Sequence, residues 1–209
     1  NIKFEFIYGP DSNVLDIENI NINPNKKFSK NTMATLFTHY KCWEECIKNN
    51  YNSVLICEDD VFLMNYFENE LLEFMKQVPN DWDVLQLGWQ PFNYNFPNSK
   101  LINKNVRKNW SFIGGAHCYA LKLNTCIELV NALILKKSDN DCKTDKKLFK
   151  NGVINKIVDG YIGDITNPHA KKETLFNLQC YSPVKCLATD CSHNNKFTNI
   201  HFKSTYDIN

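Results

Sequence analysis

Residues 54–57, Val-Leu-Ile-Cys, form an unbroken apolar run that leads directly into three consecutive carboxylates, Glu58, Asp59 and Asp60. A short apolar run with no polar alternation reads as a fully buried strand. In open α/β sheets ligands bind at the carboxyl ends of strands, which is where these acids fall. Adjacent carboxylates repel and raise one another's proton affinity, and a bound divalent cation relieves both effects. The alternative is a solvated acidic turn. A turn seldom calls for three acids with neither Gly nor Pro among them, so the ligand-binding reading leads.

The rest of the composition narrows the class. A chain of 209 residues can bury a sizeable core and fits a single α/β domain. A hydrophobic fraction of 43% and a formal net charge of +1 argue against disorder and against electrostatic steering toward nucleic acid. No window approaches the apolar length of a membrane span. No charged-then-apolar leader opens the chain, so the expected location is cytoplasmic, or a secretory lumen if a leader has been removed. The richness in Asn, Lys, Ile, Phe and Tyr is that of an AT-rich coding genome and resembles proteins of large DNA viruses.

Nine cysteines leave the redox compartment open. Cys42, Cys46, Cys57, Cys118 and Cys126 fall in apolar surroundings and read as small buried hydrophobes. Cys180, Cys186 and Cys191, with His193 close by, are the cluster with a metal or disulfide character, although no C-x2-C pair is present.

Strands and helices alternate along the chain. Residues 2–8 alternate weakly and end at Gly9-Pro10, which reads as a strand entering a turn, and the polar stretch 11–30 reads as loop. Leu36, Tyr40, Trp43 and Ile47 give one apolar face to a helix over 32–49. A second helix is expected over 65–78, stopping before Pro79, and a strand over 82–89. Residues 90–109 read as an Asn- and Pro-rich loop. A strand is expected over 112–121, entered through Gly114-Gly115, and a helix over 124–137. The apolar stretch 152–164 carries Asp159 and Asp164, and the last forty residues read as loops and short strands.

The succession of Thr38-His39-Tyr40-Lys41-Cys42-Trp43, the V-L-I-C-E-D-D-V segment ending at Val61 and the W-D-V-L-Q-L-G segment ending at Gly88 resembles glycosyltransferase family 25. That family includes bacterial lipooligosaccharide and collagen galactosyltransferases. Gly114-Gly115-Ala116-His117-Cys118-Tyr119 resembles the family's G-T-H-A-Y segment, and Val158-Asp159 its V-D pair. The resemblance covers residues 32–165.

The resemblance implies a single GT-A-like α/β domain, with a Rossmann-like mixed sheet flanked by helices. It also implies inverting transfer of galactose or glucose from UDP-galactose or UDP-glucose to a glycan or protein hydroxyl. Glu58-Asp59-Asp60 would then serve as the D-x-D counterpart: Asp60 holds Mn²⁺ or Mg²⁺, and Glu58 or Asp59 contacts the ribose or sugar. Asp159, with Asp164 behind it, is the expected general base. His117 and Gly115 are expected beside the donor, where a glycine pair lets backbone approach a ligand. His193 is a further candidate metal ligand, His39 reads as packed or near the site, and Trp89 and Trp110 as sugar-stacking or core residues.

One departure stands out. Family members open with an apolar strand and an Arg-rich segment, whereas Asn1-Ile2-Lys3-Phe4-Glu5-Phe6 resembles the second strand of the fold. The expectation is therefore a domain lacking the family's first strand. An alternative function follows from it: a non-catalytic relative acting as a carbohydrate-binding or scaffolding module.

Overall fold

The computed structural model describes residues 4–16, 22, 25–89, 99–109, 115–132, 158, 160, 162 and 178–190. Its first helix, α1 (Lys30–Lys48), starts where Ser29 accepts a hydrogen bond from the Thr32 amide at 3.1 Å, satisfying one of the unpaired donors of the first turn. Met33, Leu36, His39, Trp43 and Cys46 are its buried residues, spaced at three and four so that they share one face. Ahead of it, residues 4–8 pair with no strand, contrary to the expectation for 2–8. Phe4, Phe6 and Tyr8 are more than two-thirds exposed. The segment is tied to the helix instead: Lys41 donates to the Tyr8 carbonyl at 2.9 Å. Gly9 lies so close to α1 that an added Cβ would fall 1.8 Å from Thr38 Oγ1.

The elements that follow are β1 (Ser53–Cys57), β2 (Val61–Leu63), α2 (Phe67–Met75), β3 (Val84–Gln86), β4 (Ser99–Leu101), β5 (Val106–Asn109), β6 (Cys118–Lys122), α3 (Leu123–Ala132), β7 (Cys180–Pro183) and β8 (Ala188–Asp190). Six strands form one sheet in the order β1-β6-β3-β7-β5-β4, and β2 pairs with β8 in a second, two-stranded sheet. Among the described strands β3 and β7 run parallel and the other pairs antiparallel, so the sheet is mixed.

Side chains alternate across this sheet and build a core on each face. On one side Ile56, Val84, Tyr119, Leu121 and Cys180 meet Met33, Leu36, Trp43 and Cys46 of α1 and Cys126 and Leu129 of α3. Val158 and Ile162, both helical and buried, join this cluster. On the other side Leu85, Val106, Cys118, Ala120 and Tyr181 meet Phe67 and Phe74 of α2. The result is a mixed sheet flanked by helices, as the resemblance implied.

Two details depart from expectation. The run 54–57 is not buried on both faces: Val54 and Ile56 turn to the α1 side, while Leu55 is 40% exposed and Cys57 is exposed. The strand lies at the sheet's edge among the described residues, and α2 packs elsewhere. Within the stretch expected to be loop, β4 and β5 form a hairpin with Leu101 opposite Arg107. Asn103 shapes the turn, its side chain accepting from the amides of Asn105 and Val106 at 2.9 and 3.0 Å.

Candidate functional site

At the end of β1 the Glu58 amide donates to the His117 carbonyl at 2.9 Å, carrying the β1–β6 pairing one step further. The chain then turns sharply, and the Val61 amide returns to the Glu58 carbonyl at 3.2 Å. Asp59 and Asp60 occupy that turn and are exposed, whereas Glu58 is half-buried. The three adjacent acids are thus separated by environment: one held against the domain, two turned outward.

Glu58 is held by α1. His39 Nε2 lies 3.0 Å from Glu58 Oε1, and His39 Nδ1 lies 2.8 Å from the Tyr119 hydroxyl. Trp43, one turn further along the helix, donates its indole N–H to the same hydroxyl at 3.1 Å. Burial pushes the Tyr119 phenol well above its ordinary range, so it keeps its proton. A tryptophan can only donate, an ionised carboxylate can only accept, and a neutral imidazole does one at each nitrogen. With a neutral imidazole, one proton arrangement satisfies these contacts: Trp43 to Tyr119, Tyr119 to His39 Nδ1, and His39 Nε2–H to Glu58. His39, Tyr119 and Trp43 are each at most 3% exposed, and the His39 and Tyr119 rings stack with centroids 5.7 Å apart. The sequence showed His39 and Trp43 on a helix, but nothing in it signals that Tyr119, eighty positions later, is the partner of both.

His117 is buried, with Nε2 3.4 Å from the Ala188 carbonyl. It packs so closely on Gly88 that a Cβ there would come within 2.7 Å of its Nε2. Gly115 is also buried and has φ 111°, a backbone conformation that favours glycine. Trp89 is 3% exposed and packs in the interior. Asp159, Asp164, His193 and Trp110 lie outside the described residues. In the small sheet Val61 stands opposite Asp190, so β8 delivers the chain to the end of β2 that adjoins Asp60.

Of the cysteine cluster, Cys191 and His193 lie outside the described residues. Cys180 and Cys186 are free thiols; Cys180 is in the core, and Cys186 Sγ donates to the Ala188 carbonyl at 3.0 Å. Among the described residues no three His, Cys, Asp or Glu side chains gather closely enough to cage a metal. The exposed acidic turn fits a different mode, in which Mg²⁺ or Mn²⁺ is held by one or two carboxylates and completes its shell with phosphate oxygens and water. Asp60 has the donor chemistry for that mode.

A mixed sheet flanked by helices, with an acidic turn leaving one strand end, is a GT-A-like α/β fold. The family model described as Glycosyltransferase family 25 (LPS biosynthesis protein) matches residues 1–133. The chain belongs to that family. It is 25% identical over 119 residues to procollagen galactosyltransferase 1 of Danio rerio, covering 54% of this chain and 19% of that protein. It is 28% identical over 71 residues to a Bos taurus protein named probable inactive glycosyltransferase 25 family member 3, covering 32% of this chain and 12% of that protein. The chain therefore spans less than a fifth of the length of these curated relatives.

Proposed function

We propose that this chain is a metal-dependent hexosyltransferase that moves galactose or glucose from a UDP-sugar to a hydroxyl of a glycan or protein, with inversion. The observation that carries the reading is the acidic turn at the end of β1, with Glu58 fixed by His39 and Asp59 and Asp60 facing outward. Family membership and the likeness to a procollagen galactosyltransferase support it.

Asp60 is assigned to the cation and Asp59 and Glu58 to the ribose or sugar hydroxyls, with Gly115 and His117 forming the adjoining wall. Bound there, Mn²⁺ or Mg²⁺ would neutralise the diphosphate and ease departure of the nucleotide. Asp159, or Asp164 behind it, is assigned as the base and His193 as a further metal ligand, on the sequence alone. The acceptor oxygen bonds to the anomeric carbon from the face opposite UDP. The bond to UDP breaks and its electron pair leaves with the nucleotide, while the hydroxyl proton passes to the base.

A second reading, a carbohydrate-binding relative without turnover, is favoured by one observation: a matched relative bears the name probable inactive. Release of UDP from UDP-galactose or UDP-glucose in the presence of Mn²⁺ and hydroxyl acceptors separates the two. The enzyme reading expects release that Asp60→Ala and Asp159→Ala both abolish, with donor binding surviving only in the latter. Donor binding without release in the unaltered chain supports the second reading.

A further inference from the structure

Cys57 closes β1 and Cys118 opens β6, and the two stand directly opposite each other in the antiparallel pair. The Glu58–His117 pair exchanges a backbone hydrogen bond, and such pairs alternate along an antiparallel ladder, so Cys57 and Cys118 occupy the intervening non-bonded position. The Cys118 carbonyl confirms this by turning the other way, accepting from the amides of Leu87 and Gly88 at 3.1 and 3.0 Å. Non-bonded positions bring Cα atoms to about 4.5 Å, within the span a disulfide bridges. The sulfurs already lie 3.7 Å apart. Cys57 is exposed, Cys118 is fully buried, and β1 pairs with no strand on its outer side among the described residues.

We infer that Cys57 and Cys118 form a reversible cross-strand disulfide, with Cys57 as the thiol that meets a small-molecule disulfide and Cys118 as the thiol that resolves the adduct. Cys57 Sγ attacks one sulfur of the oxidant and releases a first small thiol, leaving a mixed disulfide. Cys118 Sγ then attacks Cys57 Sγ, and the second small thiol departs. Two protein thiols lose two electrons, one small disulfide gains them, and both protons end on the released thiols. The hydrogen bond with Cys118 holds the Cys57 thiol below its ordinary range, which suits Cys57 as the first to react; the same contact, with burial, holds the resting Cys118 thiol above its own.

The site is separate from the donor assignment but touches its root, since Cys57 precedes Glu58 and Cys118 follows His117. Closing the sulfurs draws together the strand ends that carry the Glu58–His117 hydrogen bond.

The test is to incubate the folded chain with oxidised glutathione, block remaining thiols with an alkylating agent and map its peptides by mass spectrometry. The expected product is a Cys57–Cys118 linked peptide, lost after dithiothreitol. Cys57→Ser, a change at an exposed position, abolishes the link and leaves Cys118 without glutathione. Cys118→Ser, checked for folding by circular dichroism, halts Cys57 at the glutathione adduct. A Cys57 that stays fully alkylatable, stops as the adduct in the unaltered chain, or links to Cys186 instead overturns the inference.

Discussion

His39 Nε2 and Glu58 Oε1 are 3.0 Å apart, joining the centre of α1 to the first acid of the exposed turn. The contact sits at the end of a buried chain that runs from Trp43 through the Tyr119 hydroxyl. The core thus fixes the direction of one surface carboxylate, and packing faults behind it should be felt at the turn.

Tyr119→Phe keeps the ring in place and removes the hydroxyl, leaving the Trp43 indole N–H and His39 Nδ1 without that partner. Orphaned buried polar groups cost about 1–3 kcal/mol. Urea unfolding should show a loss of that size, and an unchanged midpoint would contradict the hydrogen-bond chain.

His39→Ala frees Glu58 from its anchor. UDP-sugar affinity should fall about tenfold, equivalent to about 1.4 kcal/mol, in a variant whose circular dichroism remains native. Equal affinity in the variant and the unaltered chain would show that Glu58 needs no positioning.

Gly88→Ala places a methyl 2.7 Å from both the Ala188 carbonyl and His117 Nε2. Relieving such overpacking costs about 1–3 kcal/mol and shifts His117 or β8. Thermal unfolding should report the loss; full stability would mean that the strand ends are looser than described.

Stability should fall as pH rises above about 9. Burial pushes the Cys180 thiol from its ordinary 9.0 up to about 12, and raises Cys126 and Tyr119 in the same direction. Below pH 9 the Cys180 thiol is protonated in both states, so its contribution is fully present. Above it the unfolded chain releases a proton that the folded chain retains, and each such thiol removes about 1.4 kcal/mol per pH unit until the folded thiol also ionises. Urea midpoints at about pH 8 and about pH 10.5 measure the slope, which Cys180→Ala should flatten.

Much of this architecture was legible in residue order. The period of α1, the apolar run of β1 and the Gly pair ahead of β6 marked those elements because burial on the α1 side repeats along them. The β4–β5 hairpin was hidden, since Ser99, Lys100 and Leu101 line a sheet edge where polar residues suffice and periodicity fades. The burial of β1 was overread for a related reason: an apolar sequence does not reveal that a strand lies at an edge with α2 packed elsewhere. Of the site, the acidic turn was visible as three adjacent letters. The Tyr119 contact was not, because strand register and helix docking bring together positions that sequence spacing leaves far apart.

The central claim is that the turn after β1 binds a nucleotide sugar through a cation. Titration calorimetry of UDP-galactose and UDP-glucose, with and without Mn²⁺, on the unaltered chain and on Asp60→Ala tests it most directly. The account predicts binding of one of these donors that requires Mn²⁺ and vanishes in the variant. Binding that persists without the metal or in Asp60→Ala, or no binding under any condition, would contradict it.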